Sequence, residues 1–188
     1  MRIDHIAVVI LAAGRSTRFG SQKMIHCLFD GKTILQTSID QYQKVFSNVT
    51  VVISNDSTLE RSLKGSNVNI VVAKNADKGM SQSLIEGIQD QINADAWLIA
   101  LGDMPYIKTD TLEKLISQST KNNIVVPVCD GRRGNPVIFG CGFQSKILAL
   151  EGDVGAKRVI DVNQSRALKV QVDDEGVFHD IDRTEDIL

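Results

Sequence analysis

Residues 11–23 read LAAGRSTRFGSQK, and they continue directly from an apolar run that begins at Ile6. An unbroken apolar run of this length, without alternating polar residues, is typical of a strand buried on both faces of a parallel sheet. Open α/β sheets bind their ligands in the crevice beyond the carboxyl ends of such strands. The stretch therefore predicts an α/β fold with its functional site in the loop that follows the first strand.

The loop has the composition of a phosphate-binding segment. Its small residues let backbone N–H groups approach a phosphate chain, and its two cations can neutralise the charge of that chain. The alternative is an ordinary surface loop that carries two solvated cations. We predict that the loop cradles a triphosphate through Leu11, Ala12, Ala13, Gly14, Arg18 and Lys23.

Spacing excludes two common phosphate-binding motifs. A P-loop needs four residues between its glycines and a lysine directly after the second one, whereas five residues separate Gly14 from Gly20 and two more separate Gly20 from Lys23. A dinucleotide fingerprint needs a second glycine where Ser16 stands.

Length and composition limit the possible partners. The 188 residues suit one domain spanning 1–188, and a net charge of -2 provides no general attraction for nucleic acid or an anionic membrane. The chain shows neither a signal-peptide pattern nor an apolar run approaching the roughly 20 residues that cross a bilayer. The three cysteines lack a C-x-x-C pair, which indicates neither a disulfide framework nor a zinc site. We therefore expect a cytoplasmic protein that acts on small molecules.

Strand and helix patterns alternate along most of the chain, as in α/β proteins. Residues 24–29 suggest a short extended segment, and the Asp130–Gly131 turn between two apolar runs predicts a hairpin over the crevice. Strands are predicted at 49–54, 68–73, 97–101, 124–128, 137–139, 168–172 and 177–181, and helices over 34–46, 58–64, 80–92, 109–121, 146–150, 158–162 and from 183.

A carboxylate follows the apolar strand at 97–101, in the sequence Gly102-Asp103-Met104-Pro105. At the carboxyl end of a central strand, such a group suits Mg²⁺, which takes one or two carboxylates and completes its shell with phosphate oxygens and water. The alternative is an Asp that stabilises the turn before Pro105. We predict that Asp103 is a metal ligand.

A polar turn, Asn75 to Gly79, precedes the amphipathic helix that begins near Met80. The hydroxyls of Ser81 and Ser83 lie in the first turn, where they can either cap the helix or face the same crevice. We favour contacts with the base and ribose.

The chain resembles the molybdenum cofactor cytidylyltransferases of the MobA-like nucleotidyltransferase family. The similarity covers nearly the whole chain and combines the loop motif L-A-A-G-x-S-x-R-x-G-x-x-K with N-x-x-x-x-G-x-S-x-S, L-G-D-M-P, R-R-G-N-P-V-I-F, G-D-x-G-A-K and D-I-D-R-T-E-D-I-L. It implies a Rossmann-like three-layer α/β/α sandwich with a mostly parallel sheet and a β-hairpin lobe, in which residues of about 130–160 form the acceptor side.

The resemblance implies transfer of CMP from CTP to a molybdopterin-type cofactor, with Mg²⁺ as cofactor and pyrophosphate as product. A recipient molybdoenzyme or its chaperone would be a partner. Asp180 and Asp182 lie on one face of the strand predicted at 177–181 and its continuation, as a period of two requires. We assign Asp180 to the metal or to orienting the phosphate site, and Asp182 to capping of the next helix. The resemblance implies that Lys23, Arg18 and Asp103 are catalytic and that Asp103 and Asp180 bind the metal. The nucleotide would be bound by the loop together with Asn75, Gly79, Ser81 and Gly102. The acceptor would be bound by Arg133, Gly134, Asn135 and Pro136.

Ala13 resembles the cytidine-using enzymes, since guanosine-using relatives usually carry Gly at this position. Cys27 and Thr184 depart from prolines that are common in relatives. The alternatives are guanylyl transfer to the same cofactor, nucleotidyl transfer to a sugar or polyol phosphate, and a noncatalytic nucleotide-binding or cofactor-delivery protein.

Overall fold

The computed structural model describes residues 5–14, 19, 22–76, 79–152 and 155–188. The strands are β1 Ile6–Ala12, β2 Val49–Ile53, β3 Asn69–Val72, β4 Ala96–Leu101, β5 Ile124–Cys129, β6 Arg132–Arg133, β7 Val137–Gly140 and β8 Ala167–Gln171. The α-helices are α1 Ile34–Gln43, α2 Ser57–Ser62, α3 Met80–Asp90, α4 Thr109–Ser117, α5 Gln144–Leu148 and α6 Lys157–Val162.

The strands form one mixed, mostly parallel sheet. Its order is β3-β2-β1-β4-β7-β5-β6, and β8 pairs with β5. β1 runs parallel to both β2 and β4, and β5 runs parallel to β8, whereas β7 is antiparallel to its neighbours β4 and β5. The carboxyl ends of β1 and β4 therefore lie side by side at one edge of the sheet, as the sequence predicted for the ligand crevice.

Helices cover both faces of the sheet, which confirms the three-layer prediction. Because side chains alternate along a strand, Val8 and Ile10 of β1 join the core that contains α1 and α4, whereas Ala7 and Val9 join the core that contains α3, α5 and α6. The α3 helix packs so closely that a Cβ on Gly87 would meet a methyl of Val9 at 2.5 Å. In the described part of the chain, no helix combines the length and the apolar character needed to cross a membrane.

The predicted hairpin lobe forms only in part. Asp130 and Gly131 do form its turn, both with positive φ, and β6 pairs with the end of β5. The second apolar run does not project over the crevice, however, because Val137–Gly140 is wholly buried as the strand β7 between β4 and β5.

Two other local predictions were wrong. Residues 177–181 form no strand; a 3-10 turn at Glu175–Val177 is followed by irregular chain and by a second 3-10 turn at Thr184–Asp186. The segment predicted as extended at 24–29 begins inside a 3-10 turn, Lys23–Ile25. Near 181 a long-range hydrogen bond from Ile181 N–H to Asp103 O at 2.9 Å holds the backbone, whereas the turn Lys23–Ile25 is closed locally, by His26 N–H to Lys23 O at 3.0 Å.

Candidate active site

The centre of the site is a buried lysine between two carboxylates. Lys23 Nζ donates to Asp103 Oδ2 at 2.7 Å and to Asp182 Oδ1 at 3.2 Å. Burial lowers the pKa of Lys23, but the hydrogen bonds and negative charges of Asp103 and Asp182 outweigh that effect and raise its pKa above 10.5. The ammonium is therefore charged at neutral pH and holds together residues from three separate parts of the chain.

Asp103 is placed by the glycine before it. Gly102 N–H donates to Leu11 O at 2.9 Å, which extends the pairing of β1 with β4 by one residue. The carbonyl of Gly102 accepts the Ser38 hydroxyl at 2.9 Å, and a Cβ would meet Ala12 at 3.1 Å. Both backbone polar groups of Gly102 are thus used inside the fold, and the residue directs Asp103 into the crevice.

The structure brings Asp182, rather than Asp180, to this centre. Asp182 contacts Lys23, whereas Asp180 is exposed. The capping role predicted for Asp182 belongs instead to Asp186, whose Oδ2 accepts from the backbone N–H groups of Asp182 and Arg183 at 2.9 and 2.7 Å. With no strand at 177–181, the two-residue period that supported Asp180 does not apply.

The pair Asp103 and Asp182 suits a hard divalent cation. Both offer carboxylate oxygens to the same positive group, and their side chains keep 17% and 35% of their surface accessible. Among the described residues, no cluster of three or more His, Cys, Asp or Glu side chains could enclose a metal ion. Two carboxylates with the remaining ligands from phosphate and water is the arrangement that Mg²⁺ prefers.

The phosphate loop emerges from the buried end of β1. Leu11 and Ala12 are buried, Ala13 is half-buried, and Gly14 is exposed with open space where a Cβ would lie. Arg18, predicted to contact phosphate, lies outside the described residues. These four loop residues therefore lead from the core to solvent at the carboxyl edge of the sheet, which is the position that the sequence predicted for a phosphate cradle.

The last part of the loop is tied to a neighbouring helix. Gln22 Nε2 donates to Asp56 Oδ2, and the other oxygen of Asp56 caps α2. The backbone N–H groups of Leu59 and Thr58 hold the pKa of Asp56 below its usual value. This tether fixes the residue that immediately precedes Lys23.

The predicted nucleoside segment lies at the start of α3. The Asn75 N–H donates to Glu86 Oε1 at 3.3 Å, and Gly79 precedes the helix with φ of 115°, which an L side chain would strain. Ser81 is fully buried, and its hydroxyl donates to Gly152 O at 2.6 Å. This hydrogen bond to Gly152 neither caps the helix nor faces solvent. The contact of Ser81 with the nucleoside stays a prediction.

A cavity of about 630 Å³ opens beside this centre. Leu11 and Leu101 line it at the carboxyl ends of β1 and β4, so it begins two residues before Asp103. The lining is mostly apolar, and its charged members among the described residues are all basic: Arg132, Arg133 and Lys157. Such a cavity suits a partly apolar molecule that carries an anionic group.

The acceptor residues predicted from the sequence reach this cavity in part. Arg133, Gly134 and Asn135 line it, opposite the segment Gly155 to Lys157. Arg133 also pairs with Asp161 at 3.1 Å. Pro136 is buried and joined to Asn135 by a cis peptide bond. The structure thus brings together in one cavity two segments of the region, about 130–160, that the resemblance assigns to the acceptor side.

Sequence reasoning missed Asp182 as a partner of Lys23, and it missed Met80 as a cavity residue. No local sequence pattern could have revealed Asp182, because its position depends on an irregular segment of the chain. Met80, at the start of the predicted amphipathic helix, is 46% exposed and lines the cavity.

Comparison with known proteins identifies relatives over the whole chain. Purine catabolism protein PucB of Bacillus subtilis (strain 168) is 27% identical over 200 residues, which cover 99% of this chain and 96% of PucB. A probable molybdenum cofactor guanylyltransferase of Natranaerobius thermophilus is 27% identical over 133 residues, 68% of this chain and 62% of that protein. Bifunctional protein GlmU of Buchnera aphidicola subsp. Schizaphis graminum is 32% identical over 123 residues, 64% of this chain, but the match spans only 26% of GlmU.

Solved structures share the fold. The crystal structure of Rv0371c from Mycobacterium tuberculosis H37Rv superposes with a TM-score of 0.86 at 24% identity, covering 99% of this chain and 96% of that one. The same mycobacterial protein has also been solved as a complex with manganese, with a TM-score of 0.82 at 24% identity over 97% of this chain and 95% of that one.

The model of the MobA-like NTP transferase domain matches residues 8–170. The chain therefore belongs to the MobA-like NTP transferase domain family and is a nucleotidyltransferase.

Proposed function

We propose that this protein transfers CMP from CTP to the phosphate of a molybdopterin-type cofactor and releases pyrophosphate. The observation that carries the proposal is the Lys23 ammonium held by Asp103 and Asp182, together with a cavity that reaches the carboxyl ends of β1 and β4 at Leu11 and Leu101 and whose charged lining residues are basic. A charged donor and two carboxylates at the carboxyl edge of the sheet suit a triphosphate with its metal. The adjoining cavity suits a second, anionic substrate.

The reaction needs positioning and charge rather than a covalent enzyme intermediate. An oxygen of the acceptor phosphate attacks the α-phosphorus of CTP, and the bond from that phosphorus to the bridging oxygen of pyrophosphate breaks. Lys23, with Arg18 and the loop N–H groups, stabilises the charge that develops on the leaving pyrophosphate. When bound, Mg²⁺ neutralises phosphate charge; Asp103 and Asp182 would hold it, and the manganese complex of Rv0371c supports a divalent ion in this family.

On the acceptor side, the apolar cavity lining suits a fused ring system, and the basic rim suits its phosphate. Arg133 provides a guanidinium at that rim, and Asn135 provides an amide. A pterin that bears a terminal phosphate combines these properties. The product would then pass to a recipient molybdoenzyme or its chaperone.

The choice of base has two candidates. Ala13 supports cytidine, because its methyl packs against the core beside Leu11 and takes up space that a glycine would leave open. Guanylyl transfer is the second candidate, and the guanylyltransferase relative from Natranaerobius thermophilus supports it. Nucleotidyl transfer to a sugar phosphate would use the same phosphate residues with a different acceptor.

Calorimetric titration with CTP, GTP, ATP and UTP in the presence of Mg²⁺ tests this proposal, on the wild type and on Asp103→Asn. We expect a preference for CTP that the substitution abolishes. A preference for GTP would replace cytidylyl with guanylyl transfer. Binding without pyrophosphate release, across pterin and sugar phosphate acceptors, would favour the noncatalytic alternative.

A further inference from the structure

Asp174 is a buried carboxylate outside the centre described above. Only 1% of its surface is exposed, and both of its oxygens accept hydrogen bonds. Oδ2 accepts from the Lys108 N–H at 2.9 Å and from the Thr111 hydroxyl at 2.6 Å, and Oδ1 accepts from the Gly176 N–H at 3.0 Å. Asp174 therefore joins the start of α4 to the 3-10 turn Glu175–Val177.

That turn supports the acceptor side of the site. Val177 O accepts the Asn135 N–H at 2.9 Å, and a Cβ on Gly134 would lie 2.6 Å from the same carbonyl oxygen. Val177 is itself fully buried. The backbone edge that lines the cavity at Gly134 and Asn135 thus rests directly on the turn.

The chain that leaves the turn supports the phosphate side. Ile181 N–H donates to Asp103 O at 2.9 Å, and the next residue, Asp182, contacts Lys23. Burial raises the pKa of the Tyr42 phenol, and the negative charges of Asp174 and Asp103 raise it further. Both carboxylates therefore act on the same buried region beneath the site.

We propose that Asp174 is a positioning residue that couples the two halves of the site through the turn Glu175–Val177. It touches neither substrate. It fixes the single segment that binds the backbone of Asn135 on one side and, on the other, binds the backbone of Asp103 and carries Asp182. The coupling is a property of the fold, and only its kinetic consequence rests on the proposed function.

The substitution Asp174→Asn tests this coupling with little change of volume. Because both carboxylate oxygens accept, an amide must direct its own N–H groups at either the Gly176 N–H or the Lys108 N–H. Asp173→Asn is the matched control: it removes the same charge one residue earlier, from an exposed side chain. Thr111→Val is a milder second variant, since it removes one of the three donors.

Amide hydrogen exchange of the substrate-free protein provides the first measurement. We expect Asn135 and Ile181 to exchange about tenfold faster or more in Asp174→Asn, while amides of the central strand β1 keep their protection. Thr111→Val should change the same two amides less, and Asp173→Asn should leave them as in the wild type. Unchanged protection at Asn135 and Ile181, or an equal rise in β1, would overturn the coupling.

Steady-state kinetics provide the second measurement, at a temperature where each variant is fully folded by circular dichroism. We expect kcat with CTP, Mg²⁺ and a molybdopterin acceptor to fall on the order of 10²-fold in Asp174→Asn, with KM raised for both substrates. If Asp174→Asn unfolds at a lower temperature but keeps wild-type kinetic constants, then Asp174 stabilises the fold and does not position the site. A wild type without turnover would refute the proposed function, and the exchange experiment would still decide the coupling.

Discussion

Replacing Asp182 with Asn tests whether Asp182, which contacts Lys23 in the structure, or Asp180, which was assigned from the sequence, binds the metal. Asn keeps an oxygen in place and removes only the charge, so the change isolates electrostatics from shape. Asp180→Asn is the matched control, because it makes the same change two residues away at an exposed position. The two variants should differ strongly in activity and little in stability.

The magnitudes follow from the surroundings of the two carboxylates. Asp182 is 35% exposed and lies 3.2 Å from an ammonium that Asp103 binds at 2.7 Å. Its loss should therefore lower the free energy of unfolding by no more than about 1 kcal/mol. Turnover should fall on the order of 10²-fold, or about 2.7 kcal/mol of transition-state stabilisation, because one of two positioned charges is gone. Asp180→Asn should change turnover by no more than about twofold.

Pyrophosphate release measured across a range of Mg²⁺ concentrations is the assay, with urea denaturation of each variant beside it. We expect Asp182→Asn to need more Mg²⁺ for half-maximal rate, and Asp180→Asn to follow the wild-type curve. A loss in Asp180→Asn as large as that in Asp182→Asn, or a wild-type curve for Asp182→Asn, would refute the reasoning from the Lys23 contact.

Three further substitutions test separate parts of the site. Lys23→Met should lower turnover on the order of 10² to 10³-fold and, by leaving two carboxylates together, lower the free energy of unfolding by about 1 to 2 kcal/mol in chelator. Because the pKa of Lys23 is raised above 10.5, this difference in unfolding free energy should be constant from neutral pH up to that value and disappear as the pH rises further, as urea denaturation at several pH values can check. Gly134→Ala should lower the unfolding free energy by about 1 to 3 kcal/mol, since its Cβ would lie 2.6 Å from both the carbonyl oxygen and the buried side chain of Val177; thermal unfolding measures this. Arg133→Ala should raise KM for the acceptor about tenfold and leave calorimetric CTP binding unchanged, whereas weakened CTP binding would place Arg133 on the nucleotide side.

Features that depend on neighbouring residues could be predicted from the amino-acid sequence alone. The apolar run from Ile6 defined β1, and the small residues after it defined the loop at the carboxyl edge of the sheet. Local periodicity likewise predicted the helix over 34–46, which forms as α1 with Leu35 and Ile39 buried. These predictions succeeded because burial on a regular element follows its period of two or 3.6 residues. Asp103 was placed correctly for the same reason, since it directly follows a regular strand.

Only the tertiary structure decided which distant residues meet. Lys23 lies 80 residues from Asp103 and 159 residues from Asp182, and no local pattern links the three. The choice of Asp182 over Asp180 depends on an irregular segment whose conformation is set by the buried hydrogen bonds of Asp174, which in the sequence is only an acidic turn residue. The place of β7 at the centre of the sheet likewise follows from pairing with β4 rather than from its own residues. Long-range hydrogen bonds override local periodicity wherever a segment has no regular period of its own, and that is where the chain assembles its site.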